Sequence, residues 1–201
     1  MMTMEEQLTQ TISSEPEFPI APWLEKRRSL RSFADQDVEL DKINSLFEAA
    51  RWTPSANNEQ PWCYVYATRS QPELYAKLFD ALNEGNKLWA GKAPLLVLSL
   101  YRKNFARNNA PNASALYDLG AANAMLSVEA TRLGLNVHQM GGFDRERARV
   151  NLNIPDTHAA AIMMAIGYPG DAESLQEPFK TRETAPRQRF TQQSFVLNKT
   201  F

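Results

Sequence analysis

Pro94-Leu95-Leu96-Val97-Leu98-Ser99-Leu100-Tyr101 is the stretch from which the fold is read. Its apolar run is nearly continuous, as expected of a strand buried on both faces. Before it, Cys63–Thr68 reads as another strand and Leu74–Leu82 as a short helix, with Asn83-Glu84-Gly85-Asn86 as a breaker. Further upstream, Ile43, Leu46, Phe47 and Ala50 recur at helical spacing, and that helix ends before Pro54. After it, Phe105–Ser114 is rich in Asn, Ala and Pro and reads as a mobile loop. Leu116–Leu133 is a long helix, small or apolar nearly all round, which suits a core or a subunit interface, and Gly134 caps it. Val137–Met140, Arg145–Leu152 and Ala159–Gly167 then read as strand, helix and buried strand, and Tyr168–Phe201 as a tail without strong periodicity.

The 201 residues favour one domain with an appendage. Lys and Arg (22) nearly balance Asp and Glu (23), which argues against a nucleic-acid-coating protein while leaving room for a small basic pocket. Cys63 is the sole cysteine, so no intrachain disulfide or cysteine-held metal is expected, and His138 and His158 are too far apart for an HExxH-type site. Residues 1–20 form a polar arm with four glutamates and no basic or apolar signal region. No run reaches the roughly 18 apolar residues that span a bilayer. The expectation is a cytoplasmic protein with no membrane partner. GxGxxG and GxxxxGK[ST] are both absent, which argues against a Rossmann dinucleotide domain and a P-loop.

Four segments carry chemistry. Arg27-Arg28-Ser29-Leu30-Arg31 can grip a phosphomonoester through bidentate guanidiniums, or can be the solvated basic end of a helix. Pro54-Ser55-Ala56-Asn57-Asn58-Glu59-Gln60-Pro61-Trp62 offers amides suited to a heteroaromatic edge, or is a plain connection with Asx turns. In Gln139-Met140-Gly141-Gly142-Phe143-Asp144 the paired glycines admit a ligand close to backbone N–H groups, or simply reverse the chain. Arg187-Gln188-Arg189 adds phosphate contacts, or decorates the tail.

In this order RRSLR, PSANNEQPW, LGLNVHQMGGFD, AIGYPG and APRQRF resemble the FMN-dependent nitroreductase family, over roughly Arg27 to Phe190. The resemblance implies an α+β fold, a three-layer α/β/α arrangement with a mainly antiparallel sheet, in a domain-swapped homodimer. Residues 21–190 would form the FMN-binding domain, and 191–201 a tail packing on the partner subunit. It implies that Arg27, Arg28 and Ser29 face the FMN phosphate, joined by Arg187 and Arg189. Arg31 would lie at the pyrimidine end of the ring, where positive charge favours the reduced, anionic form. Ser55, Asn58 and Gln60 would sit beside the flavin, some from the partner chain, Gly141 and Gly142 would face N5, and Asn86 would hydrogen-bond the ring. Relatives carry an acidic residue where this chain has Gly141.

The implied activity is hydride transfer from NADH or NADPH through FMN to an electron-poor small molecule (a nitroaromatic, a quinone or a flavin) by a ping-pong scheme. The flavin carries the chemistry, so no protein acid or base is named. The alternatives are other flavin reactions on the same scaffold, such as dehalogenation or flavin destruction, and a non-catalytic FMN sensor or store.

Overall fold

A computed structural model describes residues 12–198 and Thr200, so residues 1–11 of the polar arm, Lys199 and Phe201 lie outside the described residues. In chain order the elements are β1 (Ile12–Ser13), α1 (Pro22–Lys26), α2 (Leu40–Arg51), β2 (Trp62–Thr68), α3 (Pro72–Asp80), α4 (Glu84–Ala90) and β3 (Leu95–Arg102). They continue with α5 (Ala115–Arg132), β4 (Asn136–Met140), α6 (Arg145–Asn151), β5 (His158–Gly167), α7 (Phe179–Thr184) and β6 (Arg189–Phe190).

Four strands form one sheet in the order β2-β3-β5-β4, antiparallel throughout. The apolar run expected to be buried is β3, and alternation sends its side chains to two cores. Leu96, Leu98 and Leu100, with Met163 and Ala165 of β5, pack on Leu78, Leu82, Trp89 and Ala148 from the α3, α4 and α6 side. Leu95 and Val97, with Met164 and Ile166, pack on Ile43, Leu46 and Ala50 of α2 and Ala122, Leu126 and Ala130 of α5. The result is a three-layer α/β/α fold of the α+β class. Among the described residues no helix is long and apolar enough to cross a membrane.

Local readings are corrected or extended in four places. Asn83-Glu84-Gly85-Asn86 follows the end of α3 at Asp80, as a breaker should, but it also opens α4: Asn83 is the N-cap, its side chain accepting from the Asn86 N–H at 2.9 Å. The Phe105–Ser114 segment is a bonded turn and not a free loop, with Phe105 N–H donating to Ala110 O at 2.8 Å and Asn112 N–H to Lys103 O at 2.8 Å. Helix α5 is not apolar all round. Its buried face carries Asp118, Asn123 and Ser127, and Asn123 links Tyr64 of β2 to Ser99 of β3 by bonds of 3.0 and 3.1 Å. Its outer face leaves Leu116, Tyr117 and Met125 exposed. The tail is ordered into α7 and β6, and β6 pairs with β1 in the register Ile12↔Phe190 and Ser13↔Arg189, joining the two ends of the chain.

Leu98 is fully buried in the central strand. Leu98→Ala is expected to lower unfolding free energy by about 3 kcal/mol in urea titration, since the packed neighbours on β5 cannot close the cavity.

Candidate functional site

The chain leaves α1 at Arg27 in extended conformation and meets the segment after α7. Arg187 donates through Nη1 to the Arg27 carbonyl at 3.0 Å, and Arg28 donates through Nη2 to the carbonyls of Glu183 and Ala185 at 3.1 and 2.8 Å. Arg27 reaches the Ser29 hydroxyl at 3.3 Å. A cavity of about 230 Å³ opens here, lined by Arg27, Arg28, Ser29, Arg182, Arg187 and Arg189 among others. Among the described residues no carboxylate lies within ion-pair distance of any of these five arginines. The proton affinity of Arg27 falls, chiefly through burial and then through repulsion from Arg189 and Arg187. Partly desolvated and without an ion pair among the described residues, the cluster is a cradle whose positive potential suits an anion.

The cradle continues into an aromatic strip. The Arg31 guanidinium lies 5.8 Å from the Trp89 ring centroid and 5.7 Å from that of Phe179. Trp89 packs in turn on the His138 imidazole, centroids 4.5 Å apart. Leu30 is pinned between them: its N–H donates to Asn136 Oδ1 at 3.2 Å, and its carbonyl accepts from Asn136 Nδ2 at 2.9 Å. His138 Nδ1 also lies 3.1 Å from that carbonyl. A carbonyl only accepts, so Nδ1 carries the proton of the neutral ring. Burial, followed by the nearby Arg31 charge, pushes the His138 pKa down to about 4.

Asn86 stands one turn before Trp89 on α4. Its Nδ2 donates to Gly142 O at 2.9 Å, and the Asn83 N–H donates to the same carbonyl at 3.1 Å. A Cβ on Gly142 would fall 2.4 Å from Asn83 Nδ2 and 3.0 Å from Asn86 Nδ2, so this glycine is required by close approach. A Cβ on Gly141 would meet nothing within 4 Å. The Gly142 carbonyl is thereby turned inward, beside an open face at Gly141.

Ser55, Asn58 and Gln60 are not brought to this strip. They lead into β2, at one edge of the sheet, whereas Gly141 and Gly142 leave β4, at the other. Three strand spacings separate the two edges, roughly 14 Å. The Ser55 segment is nevertheless rigid. Asn57, Asn58 and Gln60 all hold positive φ, Ser55 Oγ accepts the Gln60 N–H at 3.0 Å, and Asp118 Oδ2 accepts the Ala56 N–H at 3.1 Å. Glu59 Oε1 binds Arg102 Nη2 at 2.6 Å and the Ala106 N–H at 2.5 Å, clamping the 105–114 turn to this segment.

Sequence reasoning thus placed Arg27, Arg28, Ser29, Arg187 and Arg189 on one cavity, and Arg31, Asn86, Gly141 and Gly142 along one adjoining strip. It missed Glu183 and Phe179, which lie in a tail with no periodic signal.

The three-layer arrangement is that of an α+β protein, with an arginine-rich cavity next to Arg31, Trp89 and Phe179. A model of the Nitroreductase family matches residues 24–88 and 67–168, and the chain belongs to that family. It is 28% identical over 160 residues to a "Putative NADH dehydrogenase/NAD(P)H nitroreductase" of Archaeoglobus fulgidus, covering 75% of this chain and 86% of that one. It is 38% identical over 68 residues to a chloronitrobenzene nitroreductase of Comamonas testosteroni, a match covering 31% of this chain and 30% of that one. Among solved structures it is similar to an oxidoreductase containing FMN, with a TM-score of 0.88, 30% identity, and coverage of 93% of this chain and 95% of that one.

His138 makes stability depend on pH. Its pKa is depressed from 6.5 to about 4 on folding, so the unfolded chain binds more protons between these values. The contribution of the neutral ring is full above pH 6.5 and is lost as pH falls towards 4, by about 3 kcal/mol at the limit. His138→Gln is expected to flatten the fall in urea-unfolding free energy between pH 7 and pH 4 relative to wild type, a difference that isolates this group from the carboxylates.

Proposed function

We propose that the cradle and strip hold FMN and that the chain is an NAD(P)H-dependent FMN oxidoreductase acting on a small electron-poor acceptor. The observation that carries this reading is the set of arginines around one cavity, none of them in ion-pair contact with a carboxylate among the described residues although Glu183 also lines it. Such a positive cluster favours an anionic ligand, and a phosphomonoester can accept bidentate bonds from several guanidiniums at once. The residues fit the rest of the group as well. The open face at Gly141 leaves room for a ring, and the amide N–H groups of Gly141 and Gly142 have no partner among the described residues.

When bound, FMN supplies reversible hydride acceptance, taking reducing equivalents from NADH or NADPH and passing them to the acceptor. Each side chain then has a defined task. Arg27, Arg187 and Arg189, with the Ser29 hydroxyl, bind the phosphate, while Arg28 holds the cradle wall by its bonds to the Glu183 and Ala185 carbonyls. Arg31, held over Trp89, puts positive charge at the pyrimidine end of the ring and favours the negative charge gained on reduction. His138 stays neutral at physiological pH, so it neither adds charge to the strip nor exchanges protons with it. Asn86 fixes the Gly142 carbonyl and with it the direction of the glycine amides.

Ser55, Asn58 and Gln60 enter the same site from a second copy of the chain. Their rigid loop lies on the far edge of the sheet, next to the exposed Trp52, Leu116 and Tyr117, which give that edge an apolar surface to bury in a homodimer. The tail beyond Phe190, with exposed Phe195 and Val196, packs on the partner. Nitroaromatics, quinones and free flavins are the acceptor class, taken in turn with the nicotinamide by a ping-pong scheme.

Protein purified without added flavin is expected to show bands at roughly 370 and 450 nm that bleach on anaerobic addition of NADH or NADPH and return with a quinone. Arg27→Ala combined with Arg187→Ala is expected to weaken FMN binding about 100-fold while leaving the far-ultraviolet circular dichroism unchanged. A colourless protein that takes up no FMN would overturn the reading. Bound flavin that no nicotinamide bleaches would leave a store in place of an enzyme.

A further inference from the structure

Glu183 is buried, 7% exposed, on α7 beside the arginine-rich cavity. A buried carboxylate next to five guanidiniums would ordinarily pair with one of them. This one does not. Its Oε1 accepts the Arg31 N–H at 2.8 Å and the Ser32 N–H at 2.8 Å, and its Oε2 lies 3.0 Å from the Arg31 N–H. Its oxygens are thus engaged by two main-chain amides and not by a guanidinium, while its charge acts through space to favour the cationic form of Arg31.

What this bonding does is directional. Two successive amides aimed at one carboxylate fix the course of the chain through residues 31 and 32, and Ser32 Oγ donates to Asp171 O at 2.6 Å from the next turn of structure. Arg28 grips the backbone of the same helix end from the other side. The Arg31 side chain, by contrast, has no hydrogen bond or ion pair of its own among the described residues. It is located by its backbone and by the rings of Trp89 and Phe179. Because α7 also carries Phe179, one helix supplies both the anchor for the Arg31 backbone and one of the rings beside its guanidinium.

We infer that Glu183 is a positioning residue of the FMN site: its buried carboxylate holds the Arg31 and Ser32 amides and so sets the Arg31 guanidinium between Trp89 and Phe179. Glu183 touches no reacting atom and acts through Arg31. The inference rests on the FMN reading above and adds to it a residue outside the arginine motifs.

The test is a double-mutant cycle read by FMN fluorescence quenching on apo-protein, with Glu183→Gln, Arg31→Ala and the double variant. Each single change is expected to raise the FMN Kd about tenfold, and the double variant to match the singles, because Glu183→Gln displaces the guanidinium that Arg31→Ala removes. Leu78→Ala, in the core under α3, serves as the stability control and is expected to lower Tm with the Kd within about twofold of wild type. Phe179→Ala removes a flanking ring without touching the carboxylate; it is expected to raise the Kd and to be non-additive with Arg31→Ala, and it decides the matter if Glu183→Gln does not fold. Several results would overturn the inference: a Glu183→Gln Kd within twofold of wild type, single effects that multiply to about 100-fold in the double variant, additivity of the Phe179 and Arg31 changes, or an equal loss in Leu78→Ala. Wild-type protein that binds no FMN would overturn the functional reading itself and this inference with it.

Discussion

Arg187 and Arg189 repel Arg27, and no carboxylate among the described residues forms an ion pair with any of the three. Holding like charges together in a partly buried cavity is unfavourable, so the fold must supply the constraint by other means. It does so with main-chain bonds. Arg187 reaches the Arg27 carbonyl, Arg28 takes two carbonyls beyond α7, and β1 pairs with β6 across Ser13 and Arg189. These ties join chain segments more than 150 residues apart in sequence. The two ends of the chain, not its centre, therefore build the anion cradle. An anion bound there would offset the repulsion, and that relief would add to its affinity.

The sheet supplies the other half of the site by placing one edge at the right distance from that cradle. Strand β4 ends at Met140 and hands the chain to two glycines, and α4 lies against this turn because Asn83 and Asn86 both bond the Gly142 carbonyl. Trp89, in the last turn of α4, is buried in the core and lies 5.8 Å from the Arg31 guanidinium. Helix α4 thus touches the glycine turn through Asn86 and Arg31 through Trp89. Catalytic power in such a site comes from geometry and fixed charge, since the transferred hydride never resides on the protein.

Much of this was legible in the residues, for physical reasons that differ by element. The β3 run and the Ile43–Ala50 spacing determine burial directly, because solvent exclusion acts on each side chain whatever its partners. The five arginine motif positions were readable because charge clustering is a local property. Asn83-Glu84-Gly85-Asn86 showed the break but not the helix that follows, because the same polar residues that end one helix also cap the next. Helix α5 misled because Asp118, Asn123 and Ser127 carry out polar work inside the core that composition does not reveal. Glu183 was invisible for a further reason: its partners are two main-chain amides some 150 residues away, and backbone donors leave no mark on a sequence.

The account stands on the phosphate being what the arginines hold, and comparing FMN with riboflavin by isothermal titration of the apo-protein measures that alone. The ring and ribityl chain are common to both ligands, so any difference in affinity belongs to the cradle. Riboflavin is expected to bind at least about 100-fold more weakly than FMN, with the gap narrowing as salt is raised. Equal affinity for the two at low salt would contradict the account, because it would mean that the uncompensated arginines serve some other anion.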